Sequence, residues 1–188
     1  RKGMTTEGGM RVPGLFRLPR VIPAGRVTNA FASVMDILPT FAAMTGMKLP
    51  GKPIDGVDIT DILRGYATEV ERAQPFLYFD GWDAQCSRAG KWKLHFARRN
   101  DFIYSPSPQG GPKTLALRPP ELYNLELDAD ESYDVAPENP EVVKRLMAQT
   151  EAMLTGFPEE VKAARAKVLA TPTGPGEPGR LPHEKKAN

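Results

Sequence analysis

The chain has 188 residues, of which 40% are hydrophobic and 26% are charged, an ordinary composition for a soluble globular protein of one domain or slightly more. The formal net charge of +2 predicts no basic surface for nucleic acid. Because no apolar run approaches about 20 residues, we also expect no membrane span. The single cysteine, Cys86, excludes an internal disulfide, and His95 and His183 are too few and too far apart for a helix-borne zinc pair.

The first part of the chain predicts one helix among segments rich in proline and glycine. Residues 12–18 form an apolar run bounded by prolines, which favours an extended segment at a strand end or a sheet edge. Apolar residues at helical spacing then predict a helix with Asp36 as its N-cap and Gly46 as its C-terminal stop, because a proline is tolerated in the first turn. Residues 49–56 predict a loop, and residues 58–63 predict a single helical turn.

The middle of the chain predicts an antiparallel sheet. Three aromatic-rich or alternating runs, separated by glycines and prolines, indicate strands at residues 75–80, 91–97 and 121–127. Residues 101–120 hold several prolines and the pair Gly110-Gly111, which predicts a long irregular insertion. Long loops often carry specificity, but no ligand is indicated by this one.

The C-terminal part predicts two helices and a tail. Asn139 as N-cap, Pro140 at the first helical position and an apolar stripe predict a helix that ends at Leu154. Residues 159–170 are rich in alanine and charge but poor in large apolar side chains, so we expect a surface-bound or frayed helix. From Thr171 the composition predicts a disordered tail.

The most informative segment comprises residues 2–13, which follow the pattern Lys-Gly-x-Thr-x-Glu-Gly-Gly-x-Arg-x-Pro. A lone lysine is usually exposed and without function, but this pattern resembles the segment by which type I sulfatases, of the alkaline phosphatase superfamily, bring a lysine to the sulfate group. The resemblance implies that Lys2 is catalytic and binds the sulfate oxygens. Its ammonium would supply positive charge where negative charge builds during S–O cleavage.

Four neighbours of Lys2 are predicted to support this site structurally. The pair Gly8-Gly9 permits backbone conformations with positive φ, which a tight turn beside a ligand needs. Glu7 and Arg11 are placed to pair across that turn. We favour structural roles for these residues over direct contact with the substrate.

The resemblance continues downstream, in the order of the family, to about Leu154. Similar segments lie at residues 36–40, 44–46, 54–58, 90–94 and 121–125, followed by Asp128, Asp130, Glu131 and Tyr133. Two departures from the family pattern, Asn124 for the usual Asp and Ala129-Asp130 for Asp-Pro, lie away from catalytic positions.

The resemblance implies an α/β fold of the alkaline phosphatase-like sulfatase type. Residues 1–65 would form the end of the catalytic α/β domain, and residues 66–157 a C-terminal antiparallel sheet with a packed helix. Residues 158–188 would add a surface helix and the disordered tail. We therefore expect the C-terminal portion of a larger enzyme, which packs against the remainder of its catalytic domain.

The resemblance also implies two cofactors, calcium and a formylglycine made from the Cys or Ser of Cys/Ser-x-Pro-x-Arg. Cys86 is followed by Ser-Arg-Ala-Gly and cannot be the modification site, and no acidic pair matches the calcium position of the family. Both groups and the general acid histidine are expected from sequence upstream of this chain. We expect no metal site in these residues and no turnover from them alone.

His95 lies on the predicted strand at residues 91–97, where it alternates with Leu94 and Phe96. One interpretation is a substrate contact; the favoured alternative is a surface or hydrogen-bonded strand histidine. Lys93, Arg98 and Arg99 could recognise an anionic part of the substrate, but a run of charges at a strand end is usually solvated.

The predicted substrate is a small-molecule or glycan sulfate ester, with no nucleic-acid partner. One alternative is a phosphonate monoester or phosphodiester hydrolase of the same superfamily, since a lysine near a tetrahedral anion also serves phosphoryl transfer. Another is a non-catalytic, sulfatase-derived module that binds anionic glycans or packs on another chain. The family implies a periplasmic, secreted or lysosomal location, for which these residues show no signal.

Overall fold

The computed structural model describes residues 3–99 and 113–171. Its helices are α1 (Glu7–Met10), α2 (Ile37–Thr45), α3 (Thr60–Arg64), α4 (Pro140–Leu154) and α5 (Glu159–Ala170), with a short 3₁₀ helix, Val34–Asp36, before α2. Its strands are β1 (Phe76–Asp80), β2 (Asp83–Ala89), β3 (Trp92–Arg99) and β4 (Thr114–Asn124). The described residues group into two compact units: a helical unit of residues 12–73 and a sheet unit that contains the rest.

The sheet unit is built on one antiparallel sheet with the strand order β1-β2-β3-β4. Its register shifts in the β3–β4 pair between His95 and Ala97, and also in the β1–β2 pair, where Tyr78 faces Cys86 but Phe79 faces Ala84. Gln85 is the extra residue of this bulge. Because side chains alternate along a strand, the bulge lets Gln85 and Cys86 both project toward one face.

Helices α4 and α5 cover the other face of the sheet. Two apolar clusters join them to the strands, and their buried members are Ala84, Leu94, Phe96, Ala97, Leu122, Val142, Leu146, Leu154, Val161 and Val168. The predicted bounds of α5 are confirmed, and most of its residues are exposed, but the helix is continuous and packs on the sheet through one buried side. Val161, Arg165 and Val168 share one side of α5 and are buried, with the Arg165 guanidinium 4.7 Å from the ring centroid of Phe96.

Three other differences concern the strands and loops. β2 was not predicted, because most of its side chains are small or polar. β4 begins at Thr114, within the predicted irregular insertion. β4 is an edge strand of the sheet. Its two consecutive prolines, Pro119 and Pro120, are tolerated there because one side of an edge strand pairs with no other strand. Residues 12–18 are exposed and form no strand, so that prediction is wrong. Residues 101–112 and the predicted tail beyond Thr171 lie outside the described residues.

In the helical unit, α2 follows Asp36 and ends at Gly46, as predicted, and Gly46 has a φ of 71°. The helical path starts earlier than predicted, with Ser33 capping the 3₁₀ helix. The fully buried Asp36 carboxylate accepts hydrogen bonds from the amides of Ser33 and Val57 and from the Arg72 guanidinium. Burial raises the pKa of Asp36, but these bonds outweigh it and hold the pKa below its ordinary value.

α3 is the helical turn predicted after the proline-rich loop, and Gly65 ends it with a φ of 89°. Its buried residues Ile62 and Leu63, together with Ile59, form the apolar centre of the helical unit. In the described parts of the chain, none of the helices has the length and apolar character needed to cross a bilayer.

The predicted domain ranges, 1–65, 66–157 and 158–188, differ from this grouping. The N-terminal segment of described residues up to Arg11 belongs to the sheet unit, and not with residues 12–65. The reason is burial of Thr5 and Glu7 against the strands. As boundaries of domains in a longer protein, the three ranges stay predictions.

Candidate functional site

Lys2, the predicted catalytic residue, lies outside the described residues, so the site is described from Gly3 onward. Residues 3–11, called here the N-terminal segment, pack on the sheet face that α4 and α5 leave open. Two of its residues, Thr5 and Glu7, are buried, and they lie three and five positions after Lys2. The described residues that follow Lys2 in sequence are therefore attached to a sheet formed much later in the chain.

Thr5 is held by the bulge in β2. Its hydroxyl donates a hydrogen bond of 2.9 Å to the side-chain oxygen of Gln85, and the Cys86 thiol lies 3.7 Å from its carbonyl oxygen. Burial raises the pKa of Cys86 to about 12, so the thiol is neutral and lacks the thiolate character of a nucleophile. Cys86 is thus a structural residue of the sheet.

Glu7 is held at two points. Its backbone N–H donates a 2.6 Å hydrogen bond to Oε2 of Glu131, and its carboxylate lies 2.8 Å from the Lys93 ammonium and 3.6 Å from the Arg88 guanidinium. Lys93 is 0% exposed, so for this residue the expectation of a solvated charge is wrong. It occupies β3 between β2 and β4, and the N-terminal segment covers it.

Glu131 completes the arrangement. Its Oε1 lies 3.2 Å from the Lys93 ammonium and 2.7 Å from Nε2 of His95, which is 1% exposed. Glu7, Lys93, His95 and Glu131, with Arg88 at the edge, are called the Glu7 cluster below. Its two carboxylates face two basic side chains, Lys93 and Arg88, so with a neutral imidazole the formal charges of this buried site cancel.

The pKa values agree with that balance. Burial lowers the pKa of His95 and outweighs its hydrogen bond with Glu131, so the ring is neutral and Nε2–H donates to the carboxylate. Nδ1 of this tautomer has no hydrogen-bond partner among the described residues. Burial alone would raise the pKa of Glu131, but the contacts from His95, Lys93 and the Glu7 amide lower it to about 2.

Two tyrosines form the walls of the Glu7 cluster. The Lys93 ammonium lies 4.5 Å from the ring centroid of Tyr78, close enough for a cation–π interaction, and His95 meets Tyr123 edge to face at 5.5 Å. Burial raises the pKa of Tyr78, which keeps its hydroxyl neutral. The cluster is thus enclosed by aromatic rings and shielded from water.

Gly8 and Gly9 do not form the predicted turn with positive φ. Both lie within helix α1, and the N-terminal segment has its left-handed glycine at Gly3, with a φ of 82°. Arg11 closes α1 through its backbone N–H, which donates to the Glu7 carbonyl at 2.8 Å. The support roles of these residues stay predictions.

His95 is placed in the closed interior of the cluster, where a substrate would reach it only if the cluster opened. Its role as a substrate contact stays a prediction. Arg98 forms an ion pair with Glu121, and Arg99 lies 3.3 Å from the carboxylate of Asp80. These arginines therefore have protein partners at the strand end.

The described residues do not supply a calcium site. In residues 3–99 and 113–171, no three His, Cys, Asp or Glu side chains are grouped so that they could hold a metal ion. Glu7 and Glu131 already accept hydrogen bonds from cationic or amide donors. The oxygen-rich environment that calcium requires is absent from the Glu7 cluster.

Sequence reasoning missed the roles of Lys93, Glu131 and Gln85. A usable signal was present, since Lys93 and His95 alternate with Leu94 and Phe96 and must share the face opposite the apolar residues. Whether that face is exposed or covered depends on the N-terminal segment. Strand periodicity alone carries no such information.

Comparisons with known proteins agree with this architecture. Residues 71–174 match the profile described as the C-terminal region of aryl-sulfatase. The chain is 33% identical over 194 residues to arylsulfatase A of Homo sapiens, an alignment that covers 93% of this chain and 38% of that protein. It is 34% identical over 154 residues to steryl-sulfatase of Mus musculus, covering 73% of this chain and 24% of that protein.

A solved structure shares the fold. The crystal structure of Ps i-CgsB in complex with k-i-k-neocarrahexaose superposes with a TM-score of 0.59 at 26% identity, covering 81% of this chain and 31% of that one. The predicted fold class, an α/β sulfatase fold with a small antiparallel sheet and a packed helix, is confirmed. The chain belongs to the sulfatase family, as predicted, and matches its C-terminal region. It spans little more than a third of the length of arylsulfatase A.

Proposed function

We propose that this chain is the C-terminal part of an enzyme that hydrolyses sulfate esters, in which Lys2 binds the sulfate oxygens. Membership of the sulfatase family supports sulfuric ester hydrolysis as the class of reaction. The lysine motif at residues 2–13 supports the particular role of Lys2, since a cation beside the sulfate offsets the negative charge that develops during S–O cleavage.

The observation that carries this proposal is the attachment of Glu7 to the buried cluster of the sheet. A cation stabilises a transition state most effectively when its position is set in advance, because no reorganisation is then needed during the reaction. Thr5 and Glu7 hold the segment immediately after Lys2 by contacts of 2.6 to 2.9 Å. A free, solvated lysine would need no such support.

The remaining catalytic groups must come from elsewhere in the full-length protein. Cys86 is the single cysteine of these 188 residues, and its buried neutral thiol does not fit a nucleophile. A formylglycine upstream would supply the attacking oxygen, as the family resemblance implies. Calcium and the general acid histidine are likewise assigned to upstream sequence.

The class of sulfate ester is a separate part of the proposal. The relatives named arylsulfatase A and steryl-sulfatase favour a small-molecule ester, and the Ps i-CgsB complex with k-i-k-neocarrahexaose favours a glycan. The shared chemistry is a monoanionic sulfate ester on an oxygen leaving group. Kinetics on an aryl sulfate and on a sulfated oligosaccharide separate the two classes.

The proposal is tested by steady-state hydrolysis of 4-nitrophenyl sulfate by the full-length protein. Lys2→Ala should lower kcat/KM on the order of 100-fold, which is the usual effect of removing one donor to a developing anion. The matched control is Lys48→Ala, the loss of an exposed lysine in the helical unit, which should leave the rate unchanged. Full activity in Lys2→Ala would contradict the proposal.

A second measurement addresses the phosphonate alternative. Rates on matched aryl sulfate and aryl phosphonate substrates are compared, and a higher kcat/KM for the phosphonate would favour that alternative. Residues 1–188 alone are expected to show no turnover on either substrate.

A further inference from the structure

We infer that Lys93 and Glu131 are positioning residues of this enzyme, which hold the segment carrying Lys2 in place through Glu7. The inference rests on the proposed function of Lys2. Neither residue contacts the substrate in this scheme; each acts through another part of the chain. Their site of action is the Glu7 cluster described above.

The contacts around Glu7 form a closed triangle. Glu131 accepts a hydrogen bond from the backbone N–H of Glu7 at 2.6 Å, and Lys93 pairs with the Glu7 carboxylate at 2.8 Å. Lys93 and Glu131 also pair with each other at 3.2 Å. Glu7 is therefore restrained at both its backbone and its side chain by two residues that restrain one another.

The holding residues are themselves anchored. Lys93 lies on β3, with Arg88 of β2 and Tyr123 of β4 as its partners across the sheet. His95, two residues along the same strand, donates to Glu131 at 2.7 Å and fixes that carboxylate. The central strand β3 thus restrains the N-terminal segment, whose own regular structure is the single helical turn α1.

Stability alone does not account for this arrangement. Taking charged groups out of water costs free energy that their mutual attraction often fails to recover, and well-packed apolar side chains can replace a buried ion pair without loss of stability. Glu131 also has a φ of 53°, in the left-handed region that side-chain-bearing residues rarely adopt. Buried charge and backbone strain at one residue are typical of places where geometry serves function.

The test is a double-mutant cycle measured by kcat on 4-nitrophenyl sulfate, in the full-length protein. Lys93→Met should lower kcat by about 10- to 100-fold, since a displacement of roughly 1 Å at a catalytic group costs about 100-fold. In a Lys2→Ala background, Lys93→Met should change kcat by less than about 2-fold, because the residue it positions is already gone. Independent, multiplicative losses would overturn the inference.

A matched control is the buried cation on the opposite face of the sheet. Arg165 is buried and pairs with Glu151 at 2.6 Å, but it contacts α4 and Phe96, and not the N-terminal segment. Arg165→Met should lower the melting temperature while leaving kcat within about 2-fold of the wild type. A fall in kcat equal to that of Lys93→Met would mean that any loss of buried charge disturbs the enzyme, and would overturn the inference.

Glu131→Gln carries the same test if Lys93→Met does not fold, because glutamine keeps the size of the side chain and an acceptor for the Glu7 amide. It should lower kcat, and this loss should disappear in the Lys2→Ala background. Normal kcat in Glu131→Gln would overturn the inference. The proposed function and the positioning role are contradicted by different results. An unchanged kcat in Lys2→Ala contradicts the proposed function. A low kcat in Lys2→Ala, together with a normal kcat in Lys93→Met and Glu131→Gln, contradicts only the positioning role.

Discussion

Glu7 and Lys93 lie 86 residues apart in the chain, yet their side chains meet at 2.8 Å in the interior of the sheet unit. Glu7 comes from a lysine-containing motif, and Lys93 from a central strand. The contact joins the part of the chain that carries the predicted catalytic group to the part that carries the sheet. Three predictions follow from this contact and its surroundings, and a fourth concerns the helical unit.

Lys93→Met should destabilise the protein more than the double substitution Lys93→Met with Glu7→Gln. The single change leaves two buried carboxylates with one cation fewer, and breaking a buried pair in this way costs about 3–5 kcal/mol. The double change removes one positive and one negative charge and restores the balance. Urea unfolding of both variants measures the difference, and equal destabilisation would show that charge balance in the cluster is unimportant.

Stability should fall as the pH decreases below about 6.5, the ordinary pKa of histidine. Burial lowers the pKa of folded His95, so below that pH the unfolded chain binds a proton that the folded chain does not. The folded pKa of Glu131, about 2, lies below its ordinary 4.5, so a second loss should occur as the pH falls from about 4.5 toward 2. Both losses have the same sign.

The variant His95→Gln isolates the first of these effects, because glutamine can still donate to Glu131 but does not titrate. Melting temperatures are measured between about pH 7.5 and pH 5, the range in which histidines titrate. The wild type should lose more stability over this range than His95→Gln does. Parallel curves would show that His95 does not contribute to the pH dependence.

Gly56→Ala should destabilise the helical unit strongly, whereas Gly51→Ala should be nearly neutral. A Cβ at Gly56 would lie 2.0 Å from the carbonyl oxygen of Met35, and the loop would have to move away from the 3₁₀ helix. That movement would strain the bond between Val57 and Asp36. The cost should be about 1–3 kcal/mol or more, as for other overpacked sites.

Gly51 is the matched control for that substitution, since nothing lies within 4 Å of a Cβ placed there. Unfolding of the two variants is followed by urea denaturation under the same conditions. Similar stabilities for Gly51→Ala and Gly56→Ala would contradict the close approach between residues 35 and 56.

Cys86 should resist alkylation by iodoacetamide in the native protein and react fully in denaturant. Its side chain is buried, and burial raises its pKa to about 12, so neither access nor thiolate is available. Peptide mass spectrometry of labelled protein reports the modification at this residue alone. Rapid native labelling would mean that the N-terminal segment separates readily from the sheet.

Much of the local structure was predictable because its causes are local. Asp36 and Gly46 bound α2, Asn139 is the N-cap of α4 and Pro140 its first residue, and the alanine- and charge-rich composition of residues 159–170 indicated α5. Caps, turns and helical repeats depend on residues a few positions apart. β2 was missed for the opposite reason: its small polar residues have little strand preference, and pairing with β1 and β3 on either side holds it.

The candidate site likewise has a part that depends on neighbouring residues and a part that depends on distant ones. The sequence by itself determined that a lysine motif of the sulfatase family lies at residues 2–13, because a motif is a property of neighbouring residues. Only the tertiary structure decided that the face of β3 bearing Lys93 and His95 is covered, and that Glu131 accepts from the Glu7 amide. Burial and charge pairing depend on which distant segments meet, and strand alternation is the same whether a polar face meets water or another part of the chain.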